Sequence, residues 1–597
     1  MNIEQLKTIF ETALKGLGIA DPKVVFERPG ELSHGDYATN VAMMYAKELG
    51  KNPKALAEEI VAALSKSDLG MKKELLPFSS DPHVIADAPL SKLGETGARG
   101  WDEISKIEIA GPGFINISFS KKIYQQAVVE ILDKKNSYGK SHAFDGKKIL
   151  VEHSSPNLFK PFHIGHVMNN AIGESIARIA KYSGADVTVI SYPSDVSLGI
   201  AKAVWAFLED GVAKLDTFST EAEKLMYLGD CYVRGTKALE ENPSLEPRMR
   251  EIAKMMYEKT SGPEYDAYLV GRDINLSYFK NITERLGSHF DGYIFESEAG
   301  NEGKEIIEAH IGDVFTKSEG AIIYEGEQDG LHTRVFMNKE GYPTYEAKDI
   351  GLLSLKFKKF NPDLSILVTD NEQTSTYEVV LAASKKINPE WAKKTIHKTH
   401  GRMSFKGQKM SSRLGGVPIA ATLLDTLYEE VKIKSPDTDT VLADKIAIAA
   451  LKFTIVRVMA GKNMNFDPDT SLSFEGDSGP YLQYAAVRAR SILQKAKETV
   501  GAIADVTEIT SDTISDVEKY LARFPEVVEQ CITEWAPHYL ATYLLVLAQS
   551  FNSWYAQVKI IDAENPDMKY HLALTEATAQ IIENGLYLLG IEVPERM

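Results

Sequence analysis

Between Val151 and His166 the chain reads Val-Glu-His-Ser-Ser-Pro-Asn-Leu-Phe-Lys-Pro-Phe-His-Ile-Gly-His. These residue types at this spacing suit phosphate chemistry. His163 and His166 stand one turn apart at the head of an apolar stripe of Ile164, Val167, Met168, Ala171, Ile172, Ile176 and Ile179, the pattern of an amphipathic helix. The first turn of a helix presents unpaired N–H groups and the positive end of its dipole, which together attract anions. Two imidazoles there add donors to phosphate oxygens as charge builds on them. Gly165 lets a flat ring or a phosphate approach the backbone, and Lys160 adds a cation in the loop above. The same His-x-x-His spacing also fits a metal pair or two solvated residues. No Cys lies nearby and no third ligand has a recognisable spacing, which weighs against metal.

The elements that must hold these groups follow from the flanking sequence. Lys147 to Glu152 is a short apolar run suited to a buried strand, and Ser155-Pro156-Asn157 cannot continue it. Gly184 stops the helix, and Val187 to Tyr192 is a second strand. Strand, helix, strand implies a right-handed crossover between parallel strands, with a ligand crevice at their carboxyl ends. Asp195 then offers a carboxylate to a ligand amine or caps the next helix, capping being the expected role. A second half begins with a helix from Thr344, on which Tyr345 and Asp349 share a face. It continues through a strand at Leu364–Val368, the segment Asn371-Glu372-Gln373, a helix carrying Val379, Val380 and Ala383, and a strand around Thr395–Thr399. Phe405 to Gly416 is a loop with glycines on both sides and cations inside it. Such a loop can close and bring Lys409 onto a leaving pyrophosphate; its plain alternative is a solvated basic loop.

At 597 residues the chain needs three or four cores at roughly 150 residues each. Residues 1–120 read as an α+β module, 121–440 as a parallel-sheet domain with an insertion over about 200–340, and 441–597 as a helical bundle. Cys231 and Cys531 form no CxxC, which excludes a disulfide framework and a zinc knuckle and fits a reducing cytoplasm. Neither a signal peptide nor an apolar run of about 18 residues is expected. The net charge of −17 argues on its face against a nucleic-acid partner, but a basic groove coexists readily with an acidic remainder.

His163-Ile164-Gly165-His166 resembles the signature of class I aminoacyl-tRNA synthetases, and its flanks Ser154-Ser155-Pro156-Asn157 and Lys160-Pro161-Phe162 resemble those of arginyl-tRNA synthetases. His34 to Asn40, Ala110 to Ile115 and the closing Gly585 to Met597 are similar to that family as well, so the resemblance spans the chain. Lys409-Met410-Ser411-Ser412 resembles the Lys-Met-Ser-Lys-Ser signature, with Ser412 in place of its second lysine. Many arginyl enzymes share that departure and carry a lysine where Lys160 stands.

The resemblance implies a Rossmann-like class I core with an insertion, an amino-terminal α+β domain that contacts the tRNA elbow, and an all-α anticodon-binding domain. It implies a monomer that uses L-arginine, ATP with Mg²⁺ riding on it, and tRNA(Arg), and that activates arginine only once tRNA is bound. Lys160, His163, His166 and Lys409 would be catalytic, and Gly165, Met410 and Ser411 would join them around ATP. A guanidinium is planar and donates through five N–H groups, so its pocket needs carboxylates in its plane. Glu152 and Asp349, with Tyr345, match the family's guanidinium positions, and Asn157 and Gln373 match groups holding the substrate's backbone end. Each acid has a plain alternative: Glu152 solvated, Asp349 paired with Lys348 or Lys356. For tRNA, Tyr37 and Asn40 belong to the amino-terminal motif. Arg488 on a helix suits phosphates and Trp554 suits unstacked bases, though exposed Arg is commonly there for solubility and Trp554 equally fits a buried cluster. No metal site and no editing domain is expected. Ser197, Gly199 and Asp370 depart from residues common in the family, which keeps a non-catalytic RNA-binding or regulatory relative open as a rival; a small-molecule nucleotidyltransferase using the same His-x-Gly-His helix and another class I synthetase are the others.

Overall fold

Ile149, Leu150 and Val151 are buried in succession in the strand Lys148–Glu152 (β1), as befits a strand covered on both faces of a parallel sheet. The computed structural model describes residues 3–66, 103–406, 419–501 and 513–597. From β1 the chain enters the helix Ile164–Tyr182 (α1), turns at Gly184 with φ +91°, and returns through Asp186–Ser191 (β2). Later come the helices Glu246–Glu258 (α2) and Pro263–Arg285 (α3), the strand Gly292–Tyr293 (β3) and the helix Glu296–Ala309 (α4). The helix Tyr345–Phe360 (α5), the strand Leu364–Asp370 (β4), the helix Thr374–Ile387 (α6) and the strand Thr395–His400 (β5) complete the set.

The strands pair in parallel in the order β5-β4-β1-β2-β3. This is a doubly wound order whose direction reverses between β1 and β4, and such a reversal opens a crevice at the strands' carboxyl ends. The sequence places Phe290–Phe295 inside the insertion, whereas its centre is β3, the edge strand beside β2. Two residues of pairing are too short to announce a sheet partner by alternation. The remainder of the insertion comprises Leu198–Asp210, Glu221–Glu241, α2 and α3 around their own core, and a small antiparallel sheet of Thr316–Ser318, Ala321–Tyr324 and Arg334–Met337.

The chain divides into two compact units. One holds residues 139–488, 525–548 and 582–597, and the parallel sheet lies within it. The other holds 1–138, 489–524 and 549–581. Its antiparallel sheet orders Tyr37–Thr39, Phe114–Phe119 and Ile104–Ala110, the last two joined by a turn at Gly111, Pro112 and Gly113. The helices Ile3–Gly16 and Pro53–Lys66 contribute to the core that includes this sheet. No helix among the described residues is long and apolar enough to cross a membrane.

Within the sheet-bearing unit the segment around Leu588 fastens α1. Ser175 donates to the Leu588 carbonyl at 2.8 Å, and Arg178 to the carbonyls of Tyr587 at 2.9 Å and Gly287 at 2.8 Å. Buried Lys452 donates to the carbonyls of Leu286 and Gly590 at 2.8 and 2.6 Å. Burial pulls its amine down to about 7, against the opposing pull of Glu174, and in either charge state the amine has N–H groups enough for those two carbonyls. Lys452→Met strands both acceptors and is expected to cost about 2–4 kcal/mol, read as a fall in urea midpoint at unchanged m.

Candidate active site

Backbone amides decide the protonation of both histidines. His163 caps α1, its Nδ1 accepting the Gly165 N–H at 3.2 Å, and His166 Nδ1 accepts the His163 N–H at 3.1 Å. A ring nitrogen that accepts carries no proton, so each imidazole bears its hydrogen on Nε2. Burial and then Lys160 lower the pKa of His163, while burial, His163 and Lys160 hold His166 well below the usual range. Two neutral rings therefore stack with centroids 3.8 Å apart, and Phe162 stacks on His166 at 4.8 Å. A Cβ on Gly165 would lie 3.1 Å from the His163 ring. The missing side chain thus leaves the capping ring of His163 its place.

The loop before α1 is held in an unusual shape. Ser154 and Phe159 both take left-handed backbone, with φ +56° and +60°, which costs free energy that neighbours must offset. Phe159 N–H donates to Asn275 Oδ1 at 3.0 Å, and its ring stacks on Tyr268. Asn157 is exposed and forms a parallel bridge with Ser194 beyond β2. Lys160 rests its ammonium 4.4 Å from the Tyr232 ring centre. Gly199 admits that tyrosine, since a Cβ there would stand 2.5 Å from its hydroxyl, which gives one departure from the family a packing reason. Lys409, Met410 and Ser411 lie outside the described residues. The chain re-enters them at Ile419, which bridges His163, while Ala420 N–H donates to the Phe162 carbonyl at 2.8 Å.

A second group of side chains gathers past the end of β1. Glu152 is 2 % exposed and pairs with Lys356, which is wholly buried; the lysine weighed as a partner for Asp349 belongs to Glu152. Glu296 pairs with buried Lys348, and Glu346 lies 3.5 Å from Arg334. Asp349 is surrounded by these acids and has no ion-pair partner among the described residues. It is half-buried, and burial, followed by the negative charge of Glu152, pushes its carboxyl up to about 8. Tyr345 beside it is 65 % exposed, and the Lys348 ammonium sits 5.3 Å from its ring centre. Gln373 is exposed at the end of the 3₁₀ turn that follows β4.

One expected role changes here, and several participants carry no signal in the sequence. Asp195 does not cap the next helix; Ser197 does, accepting the Ile200 N–H. Asp195 instead accepts the N–H and hydroxyl of Ser297 in the first turn of α4, at 2.9 and 2.8 Å, and the Tyr268 hydroxyl at 3.2 Å, with Arg272 3.9 Å away. The Lys348 ammonium also lies 5.8 Å from the Tyr257 ring centre. Tyr257, Tyr268, Arg272 and Glu296 come from a region whose sequence carries no motif, and only the fold brings them here.

Four further residues are expected at tRNA. Tyr37 is a correction: it is 2 % exposed, packed edge-on against Phe26 and Phe119, with Arg28 3.9 Å above its ring. A strand residue facing inward joins the core whatever motif it belongs to. Asn40 is half-buried at the start of Val41–Ala46. Arg488 stacks over Tyr484 at 4.6 Å. Trp554 is half-buried against Phe551 and His571 in an apolar cluster.

Comparison with known proteins matches this geometry to a family. The arginyl tRNA synthetase N-terminal domain matches residues 4–75, the class I (R) tRNA synthetase catalytic domain 127–466, and the DALR anticodon-binding domain 482–597. An arginine–tRNA ligase of Treponema denticola is 31 % identical over 87 % of this chain and 91 % of its own length. One of Alkaliphilus metalliredigens is 27 % identical over 100 % of this chain and 99 % of its own. The fold matches the arginyl-tRNA synthetases of Thermus thermophilus (TM-score 0.74, 23 % identity, all of both chains) and Plasmodium falciparum (TM-score 0.75, 18 % identity, 100 % of this chain and 99 % of that one). With a catalytic-domain match over more than half its length, the signature helix at the switch point and flanking domains of the same kind, the chain belongs to the class I arginyl-tRNA synthetases.

Proposed function

We propose that this chain is an arginine–tRNA ligase, which activates L-arginine with ATP and transfers it to the terminal adenosine of tRNA(Arg). The observation that carries the reading is Asp349. Three acids around it have cationic partners and it has none among the described residues, so the pocket keeps one carboxyl whose ionised form is left for a monocation to pair with.

The arginine carboxylate attacks the α-phosphorus of ATP and pyrophosphate leaves in line. The arginyl adenylate then acylates the 2′-hydroxyl of the terminal adenosine. Such a displacement needs positioning and charge stabilisation and no protein nucleophile. The Nε2–H groups of His163 and His166 donate to phosphate oxygens, and Lys160 and Lys409 balance the charge of a triphosphate that brings its own Mg²⁺. Gly165, Met410 and Ser411 complete the ATP contacts. Asp349 and Tyr345 receive the guanidinium, with Glu152, its charge answered by Lys356, lending an acceptor oxygen, and Asn157 and Gln373 receive the substrate's backbone end. The chain's domains in this reading are 1–120 for the tRNA elbow, 121–440 for catalysis and 441–597 for the anticodon stem, with Asn40, Arg488 and Trp554 on the RNA side.

Charging bulk tRNA with each of the twenty amino acids in the presence of ATP tests the reading. Arginine alone is expected to be attached, with lysine lower by roughly 10⁴, because a point charge leaves acceptors built for a fork unpaired. Attachment of another amino acid, or of none, overturns it.

A further inference from the structure

Two tyrosine hydroxyls near Asp349 have no hydrogen-bond partner among the described residues. Tyr192, just past β2, and Tyr377, in the first turn of α6, both bury the hydroxyl oxygen without a hydrogen-bond partner. Tyr377 itself is 4 % exposed. Both hydroxyls lie within electrostatic reach of Glu152 and Asp349, and that of Tyr192 also of Glu296 and Tyr257. The ring of His397 leans on Tyr377 with centroids 4.7 Å apart, but its Nε2 is engaged by Thr369 Oγ1 at 2.7 Å. A buried hydroxyl left unpaired is costly, and native proteins keep few of them.

We propose that Tyr192 and Tyr377 determine specificity by accepting N–H groups of the substrate guanidinium beside Asp349. The proposal rests on the arginine reading above. A guanidinium carries five N–H donors in one plane. The Asp349 carboxylate takes two of them in a fork, and the nearby negative charges of Glu152 and Glu296 are already answered by Lys356 and Lys348. The remaining donors need acceptors that add no charge, and a phenolic oxygen is one. Two such oxygens arriving from separate elements, a strand end and a helix, set the plane in which the fork must lie. An ammonium, with three donors around a point, cannot serve the same set.

The test uses the full chain with tRNA and the variants Tyr192→Phe and Tyr377→Phe, each hydroxyl being judged by its own variant. Each is expected to raise the KM for arginine about tenfold while leaving kcat and the KM for ATP within twofold. The melting temperature without arginine should hold or rise, since the lost hydroxyl had no bond, and the shift on adding arginine should shrink. An unchanged arginine KM overturns the role of that residue. So does a fall in arginine-free melting temperature with both KM values rising together, which marks a structural hydroxyl. A measurement on the unaltered protein guards against a variant that fails to fold. Arginine monomethylated on a terminal guanidinium nitrogen should be charged at least tenfold less efficiently, and charging equal to arginine overturns the proposal. If the unaltered protein attaches no arginine, the arginine reading fails at that control, before any variant is compared.

Discussion

Asp349→Asn lowers kcat/KM for arginine by about a thousandfold and leaves the KM for ATP within twofold. The pocket's formal charge falls to zero, because Glu152, Glu296 and Glu346 are each spoken for by a cation. An incoming guanidinium then buries its charge with no counter-ion. Breaking a buried charge pair in that way costs roughly 3–5 kcal/mol, and 1.4 kcal/mol is about a factor of ten. A second signature comes from titration. Burial and Glu152 raise Asp349 to about 8, so at pH 7 the empty pocket holds it mostly protonated. Arginine selects the ionised form, so below about pH 8 each binding event must expel a proton. The KM for arginine should fall about tenfold per pH unit between 6 and 8 and level off above, and calorimetry in buffers of different ionisation enthalpy should register the proton. A KM independent of pH across that range would remove Asp349 from the role.

His166→Asn has the opposite profile: adenylate formation slows by about 10²- to 10³-fold, the range found for removing one preorganised donor, while arginine binding changes less than threefold. Asparagine offers a side-chain oxygen to accept the His163 N–H, the local task that His166 Nδ1 performs. What it lacks is the Nε2–H. Single-turnover formation of adenylate, set beside an arginine titration of the same protein, separates the two effects. Equal losses in both would make His166 a scaffold residue.

The parts of this architecture that could be read from sequence are those in which local pattern and tertiary role agree. The stripe from Ile164 to Ile179 marks the helix α1, although α1 is buried around most of its circumference, Asn170 and Glu174 included, while Ile172 is half-buried; Gly184 ends it with the positive φ that glycine tolerates. The run Leu364 to Val368 is largely apolar and pairs on both sides, as a central strand does. Other assignments depended on distant partners. Whether Asp195 caps its own helix or α4 turns on where Ser297 lies, 102 residues away. Glu152 has the look of a free acid until α5 brings Lys356 against it. Tyr192 and Tyr377 look like ordinary core aromatics, and what distinguishes them is that their hydroxyls have no hydrogen-bond partner among the described residues. Tyr37 failed for the converse reason: its motif suggests RNA, but alternation along its strand turns it inward.

The bond from Ser175 to Leu588 joins residues 413 apart in the chain, and the Gly590 carbonyl that Lys452 holds comes later still. A ribosome making this protein exposes the signature helix long before it delivers the segment that clamps it. The two histidines should therefore acquire their final setting only after that segment has emerged, and nascent chains stalled ahead of Gly585 should leave α1 open to protease.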